Sequence, residues 1–228
     1  GFECGIGVAG RPEWVFVKLH THGAQPRNME MLLGGPMRAF HEMLARTAAE
    51  DAGFRYHYAT AREMVNIPVL GLSETSMLVA CMMGATFGLM TVSDKWTPRN
   101  IENVRRAGLQ SRLVGCVPLD SSPLELKRAM VDKSKREAVM NLFMDGARKL
   151  IKRGAEVIIP AGGDIIVFLA EDGIFEIDGT PILNGIYELI KMGETAVKLK
   201  KISGNRFKSK RSGYAPPTGD FLKRIRDY

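Results

Sequence analysis

Three short stretches hold the residues that could do chemistry in this chain of 228 residues: Gly71-Leu72-Ser73-Glu74-Thr75, Thr91-Val92-Ser93-Asp94 and Pro160-Ala161-Gly162-Gly163-Asp164. Each follows an apolar run and opens a helical pattern. Free backbone N–H groups at such a helix start, with the helix dipole, suit a carboxylate or a phosphate. Ser73, Thr75, Thr91, Ser93, Gly162 and Gly163 are the candidate ligand-facing residues, with Asn184 ahead of the last helix. The hydroxyls of Ser73 and Ser93 serve equally as helix caps. Gly162-Gly163 serves equally as plain turn geometry. Glu74 and Asp164 are the carboxylates near these turns that could move a proton, and Asp164 also suits an N-cap. Glu74 is the candidate catalytic residue. As a base it is expected to be buried, since burial raises a carboxylate pKa. None of these three turns carries a GxGxxG or GxxxxGK[ST] pattern, so a nucleotide is not indicated there and no cofactor is expected.

The elements that position these turns alternate. Ile67–Leu70, Thr86–Val92, Arg112–Val117 and Glu156–Ile159 read as apolar strands, and Pro181–Leu183 as a fifth short one. Helices are expected over 76–83 with Gly84 as C-cap, and from Pro98, with Thr97 as N-cap, to about 107–108. Further helices are expected over 122–130, 134–153 and 164–171, and from an Asn184 cap to about Ile202. Strands alternating with helices argue for an α/β fold, a parallel sheet flanked by helices on both faces. Ligands bind beyond the C-terminal strand ends of such a sheet, where the three turns lie. Residues 1–66 read differently: a strand over Trp14–Leu19, a helix over Met37–Ala49, a strand over Phe54–Tyr58, and all four histidines.

Composition sets the class. Apolar residues are 45% and charged residues 25%, as in an ordinary globular protein. Cys4, Cys81 and Cys116 are too scattered for a disulfide framework or a structural zinc, and reduced thiols fit a cytoplasmic protein. Cys81 and Cys116 read as core. The opening GFECGIGVAG lacks the basic start and long apolar core of a signal peptide. The uncharged run from Ser76 to Ser93 is marginal for a membrane span and is divided by Gly84 and Gly88, so no membrane partner is expected. Much of the net charge of +7 comes from ten Lys or Arg against two Asp after residue 197. No nucleic-acid motif accompanies them, so a solvated tail is the reading and nucleic acid is not an expected partner.

From Ile67 onward the chain resembles the aspartate/glutamate/hydantoin racemase superfamily. The residues that carry this are IPVLGLSETSMLVACMMGATFGLMTVS (67–93), GAEVIIPAGG (154–163) and TPILNGI (180–186). The resemblance implies an isomerase acting on an amino acid or derivative, without a cofactor, through two opposed cysteines. One thiolate takes the α-proton and the other thiol returns it, each with a tuned pKa. The second cysteine belongs in a strand–Gly–Cys–small–Gly turn, where this chain has Ala161. An alanine moves no proton. The small-molecule carboxylate or amide ligand is therefore either turned over by another residue or only bound.

Residues 1–66 resemble the C-terminal part of a polysaccharide deacetylase-like protein, through RPEWVFVKLHTHGA (11–24), MLLGGPMRAFHEML (31–44) and YHYATAREMVNI (56–67). Such proteins bind a metal through an Asp–His–His set, which residues 1–66 do not show. No metal is expected, since a site needs three or four convergent ligands. The expected organisation is a deacetylase-like fragment over 1–66, a racemase-like α/β domain over 67–204 and a basic tail over 205–228. The other racemase lobe is incomplete or replaced. A homo-oligomer is left open. The alternatives to a racemase are a non-catalytic carboxylate-binding protein on the same scaffold and a deacetylase-related remnant.

Overall fold

The computed structural model describes residues 6–8, 11–16, 61–64 and 66–215, together with positions 42, 45, 46 and 49. The chain divides into two units, Gly1–Ala59 and Thr60–Tyr228. In the first unit, β1 (Ile6–Val8) and β2 (Arg11–Phe16) form an antiparallel pair. This strand overlaps the one expected from Trp14. Glu42, Ala45, Arg46 and Ala49 are helical, within the helix expected there. The strand expected at Phe54–Tyr58 and all four histidines lie outside the described residues.

The second unit holds a parallel three-stranded sheet of β3 (Phe87–Thr91), β4 (Leu113–Pro118) and β5 (Val157–Ala161), in the order β4-β3-β5. Helices cover both faces. On one face lie α2 (Leu72–Met83) and α3 (Thr97–Arg106). On the other lie α5 (Lys133–Lys152) and α6 (Gly163–Glu171). A short α1 (Ala61–Met64) precedes them, α4 (Pro123–Ala129) precedes α5, and α7 (Ile186–Ile202) packs on α2. The expected α/β architecture is therefore the observed one. Among the described residues no helix is long and apolar enough to cross a membrane.

The two-residue period of a strand explains both faces. Phe87, Leu89, Val157 and Ile159 point one way and pack with Met77 and Ala80 of α2 and Val104 of α3. Met90 and Ile158 point the other way, onto Phe143 and Leu150 of α5 and Phe168 of α6. Burial on both sides is why these strands read as continuous apolar runs.

Four expected elements differ in detail. Ile67–Leu70 pairs with no strand: Pro68 has no N–H to give a ladder, Ile67 is exposed, and the Val69 carbonyl accepts from Arg62 Nε at 3.0 Å. Helix α2 begins four residues earlier than the apolar run, because Gly71 starts it and the polar Ser73-Glu74-Thr75 forms its first turn. Thr97 is the first residue of α3 and not its cap, since a 3₁₀ turn at Asp94–Trp96 leads directly into the helix. Thr180–Pro181 (β7) pairs with Glu176–Ile177 (β6), and only Ile182 reaches the main sheet, bridging Ile158 in parallel.

The central strand carries a glycine because a helix lies against it. A Cβ on Gly88 would lie 2.9 Å from Leu150 Cβ. Gly88→Ala is expected to lower stability by about 1–3 kcal/mol through overpacking. The same change should cost clearly less in a Leu150→Ala background, where the space is vacated. Urea unfolding of the two single variants and the double variant checks this.

Candidate active site

The strand ends are level. Thr91 of β3 is in register with Pro118 of β4 on one side and Ala161 of β5 on the other. By the two-residue period Thr91 and Ala161 present their side chains to the α2/α3 face, on strands about 4.8 Å apart. The next strand position is taken by Leu183, whose N–H donates to Ile158 O at 2.9 Å, and Asn184 follows it. The turns after β3 and β5 and the start of α7 thus line one edge of the sheet.

Helix α2 runs antiparallel to β5 and brings its N-terminus to the same edge. At its far end Ala85 N–H donates to Glu156 Oε2 at 2.5 Å, beside the start of β5. At its near end a Cβ on Gly185 would come within 2.9 Å of Ser76 Oγ. Ser73, Met77 and Ala80 fall on one stripe of α2, and the latter two face the sheet, so Ser73 continues that stripe one turn past the strand ends. Ser73 is exposed there.

The other expected residues have distinct environments. Thr91 is 1% exposed; its Oγ1 lies 3.2 Å from Thr97 Oγ1 and donates to the Ser93 carbonyl at 3.3 Å. Asn184 is 4% exposed and tied at both ends of its amide: Nδ2 donates to Ile166 O at 3.2 Å and Oδ1 accepts from Tyr187 N at 3.4 Å. It thereby fastens α6 to α7, where Gly185 is the N-cap. Ser93 is half-buried. Gly162 is the N-cap of α6, which has no side-chain cap, and Asp164 falls in its first turn and not at the cap.

The two glycines differ. A Cβ on Gly162 would lie 2.4 Å from Val92 Cγ2, so this glycine lets the ends of β3 and β5 close together. Gly163 is exposed, and a Cβ there would meet nothing within 4 Å. Packing gives no reason for the glycine at 163, while a bare backbone at a helix start lets a ligand approach its N–H groups.

Glu74 and Thr75 do not join this edge. With Leu78 they occupy the opposite side of α2 from Ser76 and Met77 and line an open groove of about 290 Å³ with Leu70, Arg62 and Tyr214. The Glu74 carboxylate is paired with the Arg62 guanidinium, and its side chain is 42% exposed, so the burial expected for a base is not found. That pairing raises the Arg62 pKa above its ordinary value. Sequence reading missed Arg62, Thr97 and Tyr214 as partners; the Arg62–Tyr214 contact joins positions 152 residues apart, beyond any local pattern.

Neither described thiol stands in for a base at the edge. Cys81 and Cys116 are partly buried and pack against the α2/α3-side core. Cys116 pairs with Leu89 inside the sheet, and burial pushes its thiol up to about 11. Among the described residues no three His, Cys, Asp or Glu side chains gather as a metal site.

Known proteins resemble this chain in sequence and fold. The profile of the Asp/Glu/Hydantoin racemase family matches residues 52–192. The hydantoin racemase of Pseudomonas sp. (strain NS671) is 26% identical over 141 residues, which is 62% of this chain and 54% of that protein. The match thus spans about half the length of that curated relative. The structure of allantoin racemase from Pseudomonas fluorescens superposes with a TM-score of 0.58 at 22% identity, over 79% of this chain and 78% of that one. Allantoin racemase from Klebsiella pneumoniae gives 0.53 at 22% identity, over 72% and 64%. At that identity the two structures speak for the fold alone. The family match takes in residues 52–66, which the sequence reading had grouped with a deacetylase-like segment. Nothing in these comparisons supports a polysaccharide deacetylase-like part.

Two outcomes follow from this geometry. Gly162→Ala should destabilise by about 1–3 kcal/mol, because Val92 must move, whereas Gly163→Ala should be neutral or stabilising by up to about 1 kcal/mol; thermal melts separate them. Cys116 in the folded chain holds its proton to about 11, above the ordinary thiol value of 9.0. The folded state therefore binds more protons than the unfolded one across that window, and stability should fall as pH rises through it. Cys116→Val should flatten that fall in denaturation curves taken at several pH values.

Proposed function

The chain belongs to the Asp/Glu/hydantoin racemase family, and from that premise we propose that its α/β unit binds a small carboxylate or amide-like molecule at the sheet edge. The ligand class is an amino acid or a derivative such as a hydantoin. The observation that carries this reading is the α6 start: an uncapped N-terminus behind a bare, exposed Gly163, level with Thr91 and Ala161. Its first-turn N–H groups receive the negative end of the ligand. Ser73 and Ser93 supply hydroxyls from the neighbouring turns. Thr91 and Asn184 shape the floor, with Thr97 holding the Thr91 hydroxyl and Asn184 holding α6 to α7.

Binding without turnover is the better-supported half of this reading. Ala161 has no atom that exchanges a proton, and α-proton transfer needs a base beside the carbon. A second reading keeps the family's reaction, with Glu74 as base, and family membership favours it. It requires Glu74 to leave Arg62 and reach a ligand from the far side of α2.

Two measurements decide. A melt of the whole chain with amino acids, dicarboxylates and hydantoins should show one cooperative transition raised by one class, by about 2.7 kcal/mol at a hundredfold excess over Kd. No ligand shift with any member would contradict binding. In heavy water the bound ligand should keep its α-proton. Washout of that proton, abolished by Glu74→Gln with binding retained, would establish the second reading instead.

A further inference from the structure

The basic segment at the end of α7 lies far from the candidate edge, and its role does not depend on the ligand proposed there. Helix α7 starts at that edge, and its 17 residues carry the chain about 25 Å away from it. Lys198, Lys200 and Lys201 stand near its end, and Arg206, Lys210 and Arg211 follow it. None of these six has a side-chain hydrogen bond or an ion pair among the described residues. Elsewhere in the second unit several arginines are paired: Arg105 and Arg106 hold Glu102, Arg136 holds Glu171, and Arg148 holds Asp178. The basic stretch supplies no such partner of its own, since the chain has no Asp or Glu between Glu194 and Asp220. Lys208 stands apart from the six, because its Nζ donates to the Arg62 and Glu63 carbonyls.

The helix dipole accounts for Lys200 and Lys201, which lie in the last turn. It does not account for the cations past the helix, nor for the apolar side chains among them. Leu199 and Ile202 share one side of α7, 51% and 83% exposed. The helix closes with a left-handed Gly204 at φ 65° and with Asn205 N–H donating to Lys200 O at 2.8 Å. Such an end ordinarily packs an apolar residue of the turn against the last helical turns. Here the turn brings Asn205 to Lys200, and Ile202 stays open. Phe207, 38% exposed, comes next.

We propose that the end of α7 and the turn after it dock on a membrane surface bearing anionic phospholipids, without crossing it. Leu199 and Ile202 enter the boundary between headgroups and acyl chains, and the six cations lie at the lipid phosphates. A cluster of about four to eight Lys or Arg on a helix with exposed apolar side chains suits such a surface. Cations alone suit any polyanion. The aliphatic side chains choose among polyanions, because they gain only where an apolar phase lies behind the charge. A nucleic acid offers phosphates and flat base faces, on which aromatic side chains stack and Leu or Ile do not. Lysine stems are long enough to keep their ammonium groups at the headgroups while the helix side sinks below them. The candidate edge, at the other end of α7, stays in water.

The test is co-sedimentation of the whole chain with phosphatidylcholine vesicles holding about one-third phosphatidylserine, and with phosphatidylcholine alone. Binding is expected to the first and not to the second. It should fall away as salt rises from about 0.1 M to about 1 M, where the Debye length shrinks from about 10 Å to about 3 Å. Lys198→Gln with Lys201→Gln should weaken binding about twentyfold. Lys133→Gln with Lys135→Gln, at the start of α5, removes the same charge and should leave it unchanged. Ile202→Ser should weaken it about tenfold, while retention on heparin, a polyanion with no apolar phase, stays as it was. All of these positions are exposed, and a thermal melt verifies that each variant folds. The proposal is overturned if the folded chain stays in the supernatant with phosphatidylserine vesicles, if Ile202→Ser binds them as before, or if both lysine pairs weaken binding alike. It is equally overturned if a DNA duplex takes up the chain more tightly than the vesicles at the same salt, which would make the patch a nucleic-acid surface.

Discussion

The middle strand β3 is paired in parallel with β4 and β5 from Phe87 to Thr91, in unbroken register with β5 and, past one irregularity between Phe87 and Gly88, in step with β4 up to the strand ends. The candidate edge follows from that pairing. Level strands deliver their turns to one edge, so Thr91, Ala161 and the turns beyond them become neighbours although they lie 70 residues apart in the chain. The layers above and below the sheet close tightly. Gly88 admits Leu150 on one face, and Gly162 admits Val92 where the strands end. The same closure leaves Gly163 free of neighbours, a bare backbone at the mouth of the edge.

Much of this was legible in the chain itself, because burial on both faces writes a sheet as continuous apolar runs. FGLMT, LVGCVP and VIIPA are such runs, and each is a strand. Ile67–Leu70 has the same look and is not one. Its pairing depends on partners across space, and Pro68 with the Arg62–Val69 bond takes it out of the ladder. The candidate residues were legible as a set but not as a geometry. The set was written by turn, and two turns agree with the edge. The Gly71–Thr75 turn is split by the helix it opens: a rotation of about 100° per residue sends Ser73 toward the sheet and Glu74 and Thr75 away from it. No count of residue types reveals that Arg62 waits on the far side.

The split bears on activity. The resemblance implies a reaction that needs a proton-moving atom at the strand end, and this strand ends in Ala161. The nearby carboxylate that could replace it is held outward by an arginine. The edge itself carries helix N–H groups, hydroxyls and a backbone without side chains, groups that suit the holding of charge.

Backbone amide shifts of the labelled chain, followed during titration with a small dicarboxylate such as malonate and with hydantoin, test the edge directly. The account predicts that the amides of Gly163, Asp164 and Ile165 move first and furthest, saturably, with Ser73 and Ser93 following. Shifts confined to residues away from α6, or no saturable shift with either compound, would contradict it.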